Sequence, residues 1–320
     1  MTTKNLYIGW DVGAWHCKPA PNKSCDALCI IQGNKEDGFE IIGHTRQSLS
    51  ESVNKLFLKE TTLDELLHQW VRLCVEESQL SNEQLIELVK NSKITLAIDA
   101  VLGWSIGLRN LLIPKKWKGG RLFNKKEIES PLLFRETERI ISKDGHNPKS
   151  VVTERIGSQS TKGLAFIRSS CFKNGFGRWK SKNRKITIIE TYPAACYTSK
   201  SFWSFVGKLK FKQLYKTETP EGDSFDAVIC ALIALIYCTK PKEVTIHRPN
   251  FSQRKFMSEG WIFAPKKEHD DFDKRDVNKC VEPNNGPNKQ FENAASDFFK
   301  KAEEKQTNNK NNHRHRQGNP

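Results

Sequence analysis

The chain has 320 residues, of which 37% are hydrophobic and 28% are charged. This length suits one large α/β domain or two small ones with a sizeable core. The formal net charge of +15 favours a polyanionic partner such as nucleic acid, through counterion release. The N-terminus lacks an apolar signal core and no run approaches 18 apolar residues. We therefore expect no membrane association and a cytoplasmic protein with reduced thiols.

The composition of the chain changes near Lys266. Residues 266–320 are rich in Asn, Lys, Gln and Asp and poor in aliphatic side chains, so burial would not offset the entropy lost on ordering. We predict a folded domain over residues 1–265 and a largely disordered polar tail over 266–320. The tail contains 12 Lys/Arg and 10 Asp/Glu, so a charge of about +13 lies on the domain.

The first hundred residues alternate between strand and helix patterns. Apolar, β-branched runs separated by short turns predict an antiparallel meander, and apolar residues at helical spacing predict two helices before a fourth strand. A capping-box pattern begins at Ser81. The predicted elements are strands Tyr7–Val12, Asp26–Gln32 and Phe39–His44, helices Thr61–Cys74 and Ser81–Lys90, and strand Lys93–Ala100.

Residues 103–185 predict a long, basic, irregular insert with one helix candidate, Pro131–Ser142. The chain then returns to regular patterns. These are a strand at Ile186–Thr191, helices at Phe202–Val206 and Ser224–Cys238, and a terminal strand or hydrophobic clasp at Gly260–Pro265. The order β-β-β-α-β-insert-β-α predicts an α/β domain built on one mixed sheet.

Four acidic residues interrupt these apolar elements. Asp11, Asp99 and Glu190 each end a strand, and Asp226 opens the apolar helix one turn after Asp223. Acids are rare in buried strands unless they are paired or bind metal. Acids converging at the carboxyl ends of strands suit two Mg²⁺ or Mn²⁺ ions. We predict Asp11, Asp99, Glu190 and Asp226 as metal ligands, with Asp223 as a further catalytic residue.

Structural roles for these acids remain alternatives. A buried salt bridge to an arginine from the insert would equally account for Asp11, Asp99 or Glu190. Asp223 or Ser224 would alternatively cap the helix. The sequence has no GxxxxGK[ST] pattern, which argues against a P-loop NTPase.

Two stretches of the insert, 114–126 and 173–185, interleave basic and aromatic residues. Lysine and arginine would follow phosphates while aromatic rings stack on bases; the alternative is a solvated loop with its aromatics packed on the core. Two arginines of the predicted helix would hold the scissile phosphate or pair with site carboxylates. The predicted nucleic-acid contacts are Lys115, Lys116, Lys118, Arg121, Arg178, Lys180, Lys182 and Arg184, with Arg135 and Arg139 from that helix.

Six short motifs follow one another between residues 5 and 265. They are G-W-D (9–11), I-D-A-V-L-G (98–103), R-E-T-E-R (135–139), E-T-Y-P (190–193), D-S-F-D-A (223–227) and G-W-I-F-A-P (260–265). In this order they resemble the DUF429 family of predicted nucleases, within the ribonuclease-H-like superfamily. Val101 stands where that family usually has proline, and Glu138 lies one residue from its expected acidic position.

The resemblance implies a ribonuclease-H-like fold, with three antiparallel strands, then parallel strands, flanked by helices. It implies Mg²⁺- or Mn²⁺-dependent hydrolysis of nucleic-acid phosphodiesters, with DNA or RNA left open. The D-S-F-D-A helix is also similar to the last helix of RuvC-like resolvases, which supplies metal ligands; such an enzyme would act as a homodimer or with a partner protein. The rival hypothesis is a non-cleaving nucleic-acid-binding module of the same fold. Because all four expected acids are present, the enzyme is favoured.

Overall fold

The computed structural model describes residues 4–20, 23–75, 80–113, 127–152, 156–170, 172–175, 177–183, 185–197, 199–209, 211–214 and 222–267. Its strands are β1 Asn5–Asp11, β2 Ala27–Asn34, β3 Gly38–Arg46, β4 Lys93–Asp99, β5 Lys173–Gly175, β6 Arg178–Lys180, β7 Ile186–Glu190 and β8 Phe211–Leu214. Its helices are α1 Ser50–Phe57, α2 Leu63–Cys74, α3 Asn82–Asn91, α4 Ile106–Leu112, α5 Glu136–Lys143, α6 Ile156–Ser169, α7 Lys200–Lys208 and α8 Asp223–Thr239.

The strands form one mixed sheet in the order β5-β6-β7-β4-β1-β2-β3-β8. Strands β1, β2 and β3 pair antiparallel, while β4 runs parallel to both β1 and β7. These pairings, with helices on both faces, confirm the predicted mixed α/β sheet. The carboxyl ends of β1, β4 and β7 consequently lie at one edge, where the predicted strand-end acids are found.

Side chains along β1 point alternately to the two faces of the sheet, and each face has its own hydrophobic cluster. Leu6, Ile8 and Trp10 belong to the hydrophobic cluster that also contains residues of α1, α2, α3 and α6. Tyr7 belongs to the opposite cluster, with α7 and α8. Helix α8 is apolar around almost its whole circumference, because it lies against β1, β2 and β4.

Helix starts follow local capping rules. The predicted capping box at Ser81 is confirmed, since its side chain accepts from the Gln84 backbone and Gln84 returns the bond. A second box, formed by Thr62 and Glu65, begins α2. These reciprocal bonds satisfy backbone N–H groups that the first turn leaves without a partner.

The prediction of an irregular insert is wrong for the described part of residues 103–185, although its one helix candidate, Pro131–Ser142, overlaps α5. This segment contains α4, α5, α6 and the hairpin β5–β6. Helix α6 escaped prediction because its buried face includes Ser160, Lys162 and Gly163 beside Phe166, which dilutes the hydrophobic periodicity. Gly163 packs close to Leu102, since a Cβ would lie 2.7 Å from the end of the Leu102 side chain.

The segment at Gly260–Pro265 closes the fold, as predicted for a strand or clasp. Ile262 bridges Glu190 in parallel, and Pro265 bridges Ile246. Just before this segment, the buried Glu259 carboxylate accepts hydrogen bonds from the first backbone N–H groups of two helices, Ile106 of α4 and Glu136 of α5. Helix α1 and strand β8 were not predicted. The tail beyond residue 267 lies outside the described residues.

Candidate functional site

Two of the predicted ligands are neighbours across the sheet. Asp11 and Asp99 are the last residues of parallel strands β1 and β4 and are paired in register. Neighbouring strands lie about 4.8 Å apart, and registered residues face the same side. Both carboxylates therefore belong to the face that α8 covers.

Helix α8 adds further acids, because it comes unusually close to β1. A Cβ on Gly9 would lie 1.9 Å from the backbone oxygen of Ala227 and 2.4 Å from the nitrogen of Ala231. Only glycine permits this contact. Gly9 lies two residues before Asp11, on the same face of the strand, so the first turn of α8 with Asp226 lies beside the end of β1.

The three aspartates Asp11, Asp99 and Asp226 repel one another electrostatically. Burial raises the pKa of Asp11 well above its usual value, and the charges of Asp99 and Asp226 raise it further. Burial and then Asp226 raise the pKa of Asp99. Burial, followed by the charge of Asp223, raises the pKa of Asp226 to about 6. The fold thus concentrates negative charge at this edge, as expected of a cation site.

Two tyrosines, which sequence reasoning missed, border the aspartates. The Tyr197 hydroxyl donates to Asp226 Oδ1, and this bond counteracts part of the rise in the Asp226 pKa. Burial and the charges of Asp99 and Asp226 raise the pKa of Tyr192 to about 12. Tyr197 therefore fixes the orientation of Asp226, and both phenols remain protonated at neutral pH. The sequence could have indicated them, because Tyr192 belongs to the E-T-Y-P motif and Tyr197 follows it closely.

Asp223 occupies a different environment from Asp226, one turn away. Its Oδ2 accepts from Arg46 Nε and from the Cys25 backbone, both at 2.8 Å. The N-cap of α8 is Gly222, with no side-chain cap, so the helix-capping alternative does not describe Asp223. Its carboxylate ties the end of β3 and the β1–β2 loop to α8, because Arg46 also donates to Ala20 and Lys23 carbonyls.

Glu190 is bound by an arginine, although its charge also contributes to the raised pKa of Asp99. In the register between β4 and β7 it aligns with Ile98, so it faces the opposite side of the sheet from Asp99. Its oxygens accept from Arg135, with Nη1 to Oε2 at 2.9 Å and Nη2 to Oε1 at 2.5 Å. Arg135 also bonds Glu138 Oε1 at 2.9 Å. This placement matches the buried salt bridge to an insert arginine, the alternative stated for Glu190, and corrects its predicted role as a fourth ligand.

The predicted role of Arg135 in nucleic-acid contact is also corrected. Its side chain is fully buried, between two equally buried carboxylates, and its Nη1 also donates to the Glu259 carbonyl at 3.0 Å. A guanidinium with its donors used inside the core does not reach a phosphate. Arg139 is partly exposed and pairs with Glu136 at 3.1 Å.

A second buried ion pair supports the loop that follows Asp11. Asp26 and Lys162 are fully buried, with 2.8 Å between Oδ2 and Nζ. Asp26 also accepts from Trp10 Nε1 and the Gly13 backbone, and Lys162 donates to the Ala14 carbonyl. This network joins α6 to the β1–β2 loop and was not predicted. The sequence feature that could have indicated it is the spacing of Lys162, which lies four residues before the apolar Phe166 and therefore on the same helix face.

The predicted basic surface is described only in part. Arg178 is half-buried and donates to the Tyr237 hydroxyl at 2.6 Å. Lys180 pairs in register with Thr187, near the start of β7, so Lys180 and the exposed Lys182 lie toward the end of the sheet opposite the aspartates. The predicted contacts Lys115, Lys116, Lys118, Arg121 and Arg184 lie outside the described residues.

The three aspartates supply the donor type that divalent cations use, without forming a coordination sphere. Carboxylate oxygens are the ligands that Mg²⁺ and Mn²⁺ prefer, and a divalent cation would relieve the repulsion among Asp11, Asp99 and Asp226. Within the described ranges, no three His, Cys, Asp or Glu side chains stand where they could hold a metal ion. The residues present fit the ion in chemical type, and their positions do not define its geometry.

Comparison of the chain with protein-family models, with curated proteins and with solved structures found no match. In the described part of the chain, no helix combines the length and apolarity needed to cross a bilayer.

Proposed function

We propose that this protein is a divalent-metal-dependent nuclease with a ribonuclease-H-like fold. One observation carries the proposal. Asp11, Asp99 and Asp226 come from β1, β4 and the first turn of α8 and lie at one edge of the sheet, where the charges of Asp99 and Asp226 raise the pKa of the buried Asp11 and the charge of Asp226 raises that of Asp99. Such a cluster destabilises the fold unless a cation or protons neutralise it.

The arrangement of the sheet supports the same proposal. Three antiparallel strands are followed by parallel strands on the other side of β1, as the resemblance to the DUF429 family implies. In this chain the acid of the E-T-Y-P segment belongs to the Arg135 ion pair. We therefore assign three aspartates, and not Glu190, as the metal-holding residues.

Several residues of this chain would have distinct roles in the proposed reaction. Asp11, Asp99 and Asp226 would hold Mg²⁺ or Mn²⁺, which when bound supplies an activated water and stabilises the leaving oxygen. Tyr197 keeps Asp226 oriented by its hydrogen bond. Asp223 positions the start of α8 through Arg46. The net charge of +15 would attract the nucleic acid.

The second candidate is a non-cleaving nucleic-acid-binding module. It is favoured by the absence, among the described residues, of three potential ligands placed to hold a metal. In that case the aspartates would be neutralised by protons, and the basic surface would carry the function.

A cleavage assay separates the two candidates. Wild type, Asp11→Asn and Asp99→Asn are incubated with labelled single-stranded, duplex and branched DNA and RNA, in Mg²⁺, Mn²⁺ or EDTA. Asp37→Asn is the matched control, because Asp37 is an exposed turn residue. We expect cleavage by wild type and the control that needs metal and is lost in both site variants.

Cleavage that persists in EDTA, or is undiminished in Asp11→Asn and Asp99→Asn, would contradict the nuclease assignment. Salt-sensitive binding of equal strength in all four proteins, with no cleavage, would identify the binding module. Mn²⁺ titration by calorimetry gives a readout that does not depend on the choice of nucleic acid, because wild type and Asp37→Asn should bind the ion and Asp11→Asn should not.

A further inference from the structure

A cavity lies at the end of the sheet opposite the aspartates. It has a volume of about 470 Å³, within the range of small-ligand sites. Its floor includes Asn5 and Tyr7 of β1 and Thr95 of β4. Asn5 and Asp11 stand at the two ends of β1, which are roughly 20 Å apart at about 3.3 Å per residue. The cavity is therefore separate from the candidate nuclease site.

The cavity exists because α8 ends before the sheet does. Helix α8 begins beside Asp11 and finishes at Thr239, which lines the cavity together with Cys238. In register across the sheet, Tyr7, Thr95 and Thr187 point to the same face. Tyr7 and Thr95 are buried beneath the last turn of the helix, whereas Asn5 and Thr187 are partly exposed, so hydroxyl and amide groups form part of the cavity wall.

Three lysines from different elements surround this space: Lys35 from the β2–β3 turn, Lys93 from the start of β4 and Lys185 just before β7. The opposing negative charges are Glu36 and the carboxyl end of α8, worth about half a charge. Lys185 is held by a hydrogen bond from its Nζ to the Lys90 carbonyl, and the three ammonium groups together outweigh these negative charges, so the cavity is electropositive and attracts anions.

We propose that this cavity binds a small phosphorylated molecule through its phosphate group. Lysine ammonium groups are common phosphate partners, and Lys35 and Lys93 are exposed at the rim. The hydroxyl and amide groups of the floor match the polar body of a sugar phosphate or a mononucleotide. The site is independent of the proposed nuclease activity, and either can fail without affecting the other.

Cys238 provides a local probe for the test. Cys238 is an exposed residue that lines the cavity, where its Sγ lies 3.0 Å from Thr95 Oγ1 and burial raises the pKa of the thiol. Full-length protein is alkylated with iodoacetamide at fixed ionic strength, and modification of Cys238 is followed by peptide mass spectrometry. The added compounds are inorganic phosphate, adenosine 5′-monophosphate, sodium sulfate, and an oligonucleotide without terminal phosphate.

We expect adenosine monophosphate, and phosphate more weakly, to slow alkylation of Cys238 in a saturable way. The double substitution Lys35→Gln with Lys93→Gln should weaken this protection about tenfold or more, because it removes charge-assisted contacts. The matched control is Lys55→Gln, an exposed lysine of α1 on the other face of the sheet, and it should leave protection unchanged.

Three outcomes would overturn the proposal. The first is no protection by either phosphate compound. The second is equal protection in the double variant, which would locate binding elsewhere. The third is equal protection by sulfate, or protection by the oligonucleotide alone, which would assign the cavity to general anion screening or to a nucleic-acid surface. Calorimetry with Cys238→Ser, which keeps the lysines, should still detect adenosine monophosphate and checks that the thiol only reports binding.

Discussion

Neutralising Asp226 should stabilise the metal-free protein. Burial raises its pKa from 3.8 to about 6, so at neutral pH the ionised carboxylate destabilises the folded state by roughly 3 kcal/mol, at about 1.4 kcal/mol per pKa unit. Asp226→Asn removes the charge and keeps an oxygen that accepts from Tyr197. Because that hydrogen bond becomes weaker, we expect a net gain of about 2 kcal/mol, or an increase in Tm of roughly 4–8 °C.

The pH dependence of this effect has a defined sign. Between pH 3.8 and about 6 the folded state holds a proton on Asp226 that the unfolded state has released. The wild type therefore loses stability as pH rises through this window. The advantage of Asp226→Asn should be absent below about pH 4 and complete above about pH 6.

The matched control for this prediction is Asp223→Asn, one helical turn away. Asp223 is paired with Arg46 at 2.8 Å, and its charge also raises the pKa of Asp226. Its neutralisation therefore loses an ion pair but relieves Asp226, and we expect a net destabilisation of less than about 1 kcal/mol. The assay is thermal unfolding in EDTA from pH 4 to pH 8. A fall in the Tm of Asp226→Asn, or equal shifts in the two variants, would refute the assignment of Asp226 to a repulsive cluster.

Further substitutions test how the fold supports the site, each measured by urea unfolding of the metal-free protein. Gly9→Ala should cost more than about 2 kcal/mol, because its Cβ would lie 1.9 Å from the α8 backbone; unchanged stability would contradict the close packing of α8. Arg135→Met should cost about 3–5 kcal/mol by leaving two buried carboxylates unpaired, whereas Arg139→Met should cost less than about 1 kcal/mol, since its ion pair is partly exposed. Lys162→Met should destabilise the protein to a similar extent as Arg135→Met, because it leaves the buried Asp26 carboxylate without its cation. An unchanged free energy of unfolding would disprove the ion pair.

The sequence predicts the placement of Asp11 and Asp99 well, for a simple reason. Each ends an apolar run that reads as a buried strand, and the carboxyl ends of parallel strands meet at one edge. Asp226 follows from the helix that opens with D-S-F-D-A. The mixed sheet is predicted by the same apolar runs and their turns.

Glu190 shows where such reasoning stops. Its carboxylate is directed by strand register, which aligns it with Ile98 and not with Asp99, and a shift of one residue reverses the face. Sequence patterns do not give that register. Arg135 and Lys162 likewise look like surface residues, because Glu190 and Asp26, which bind them in the core, lie 55 and 136 residues away along the chain.

The position of α8 has a consequence for the synthesis of the protein. The ribosome makes Asp11 and Asp99 well before Asp226, and at 5–20 residues per second the interval from Asp99 to Asp226 lasts roughly 6–25 s. During this time the part of the sheet face that α8 covers, with Tyr7 and Ala97, still lacks that helix. A ribosome stalled before residue 222 would therefore expose apolar sheet surface that chaperones bind. The carboxylate cluster forms only when the domain is almost fully translated.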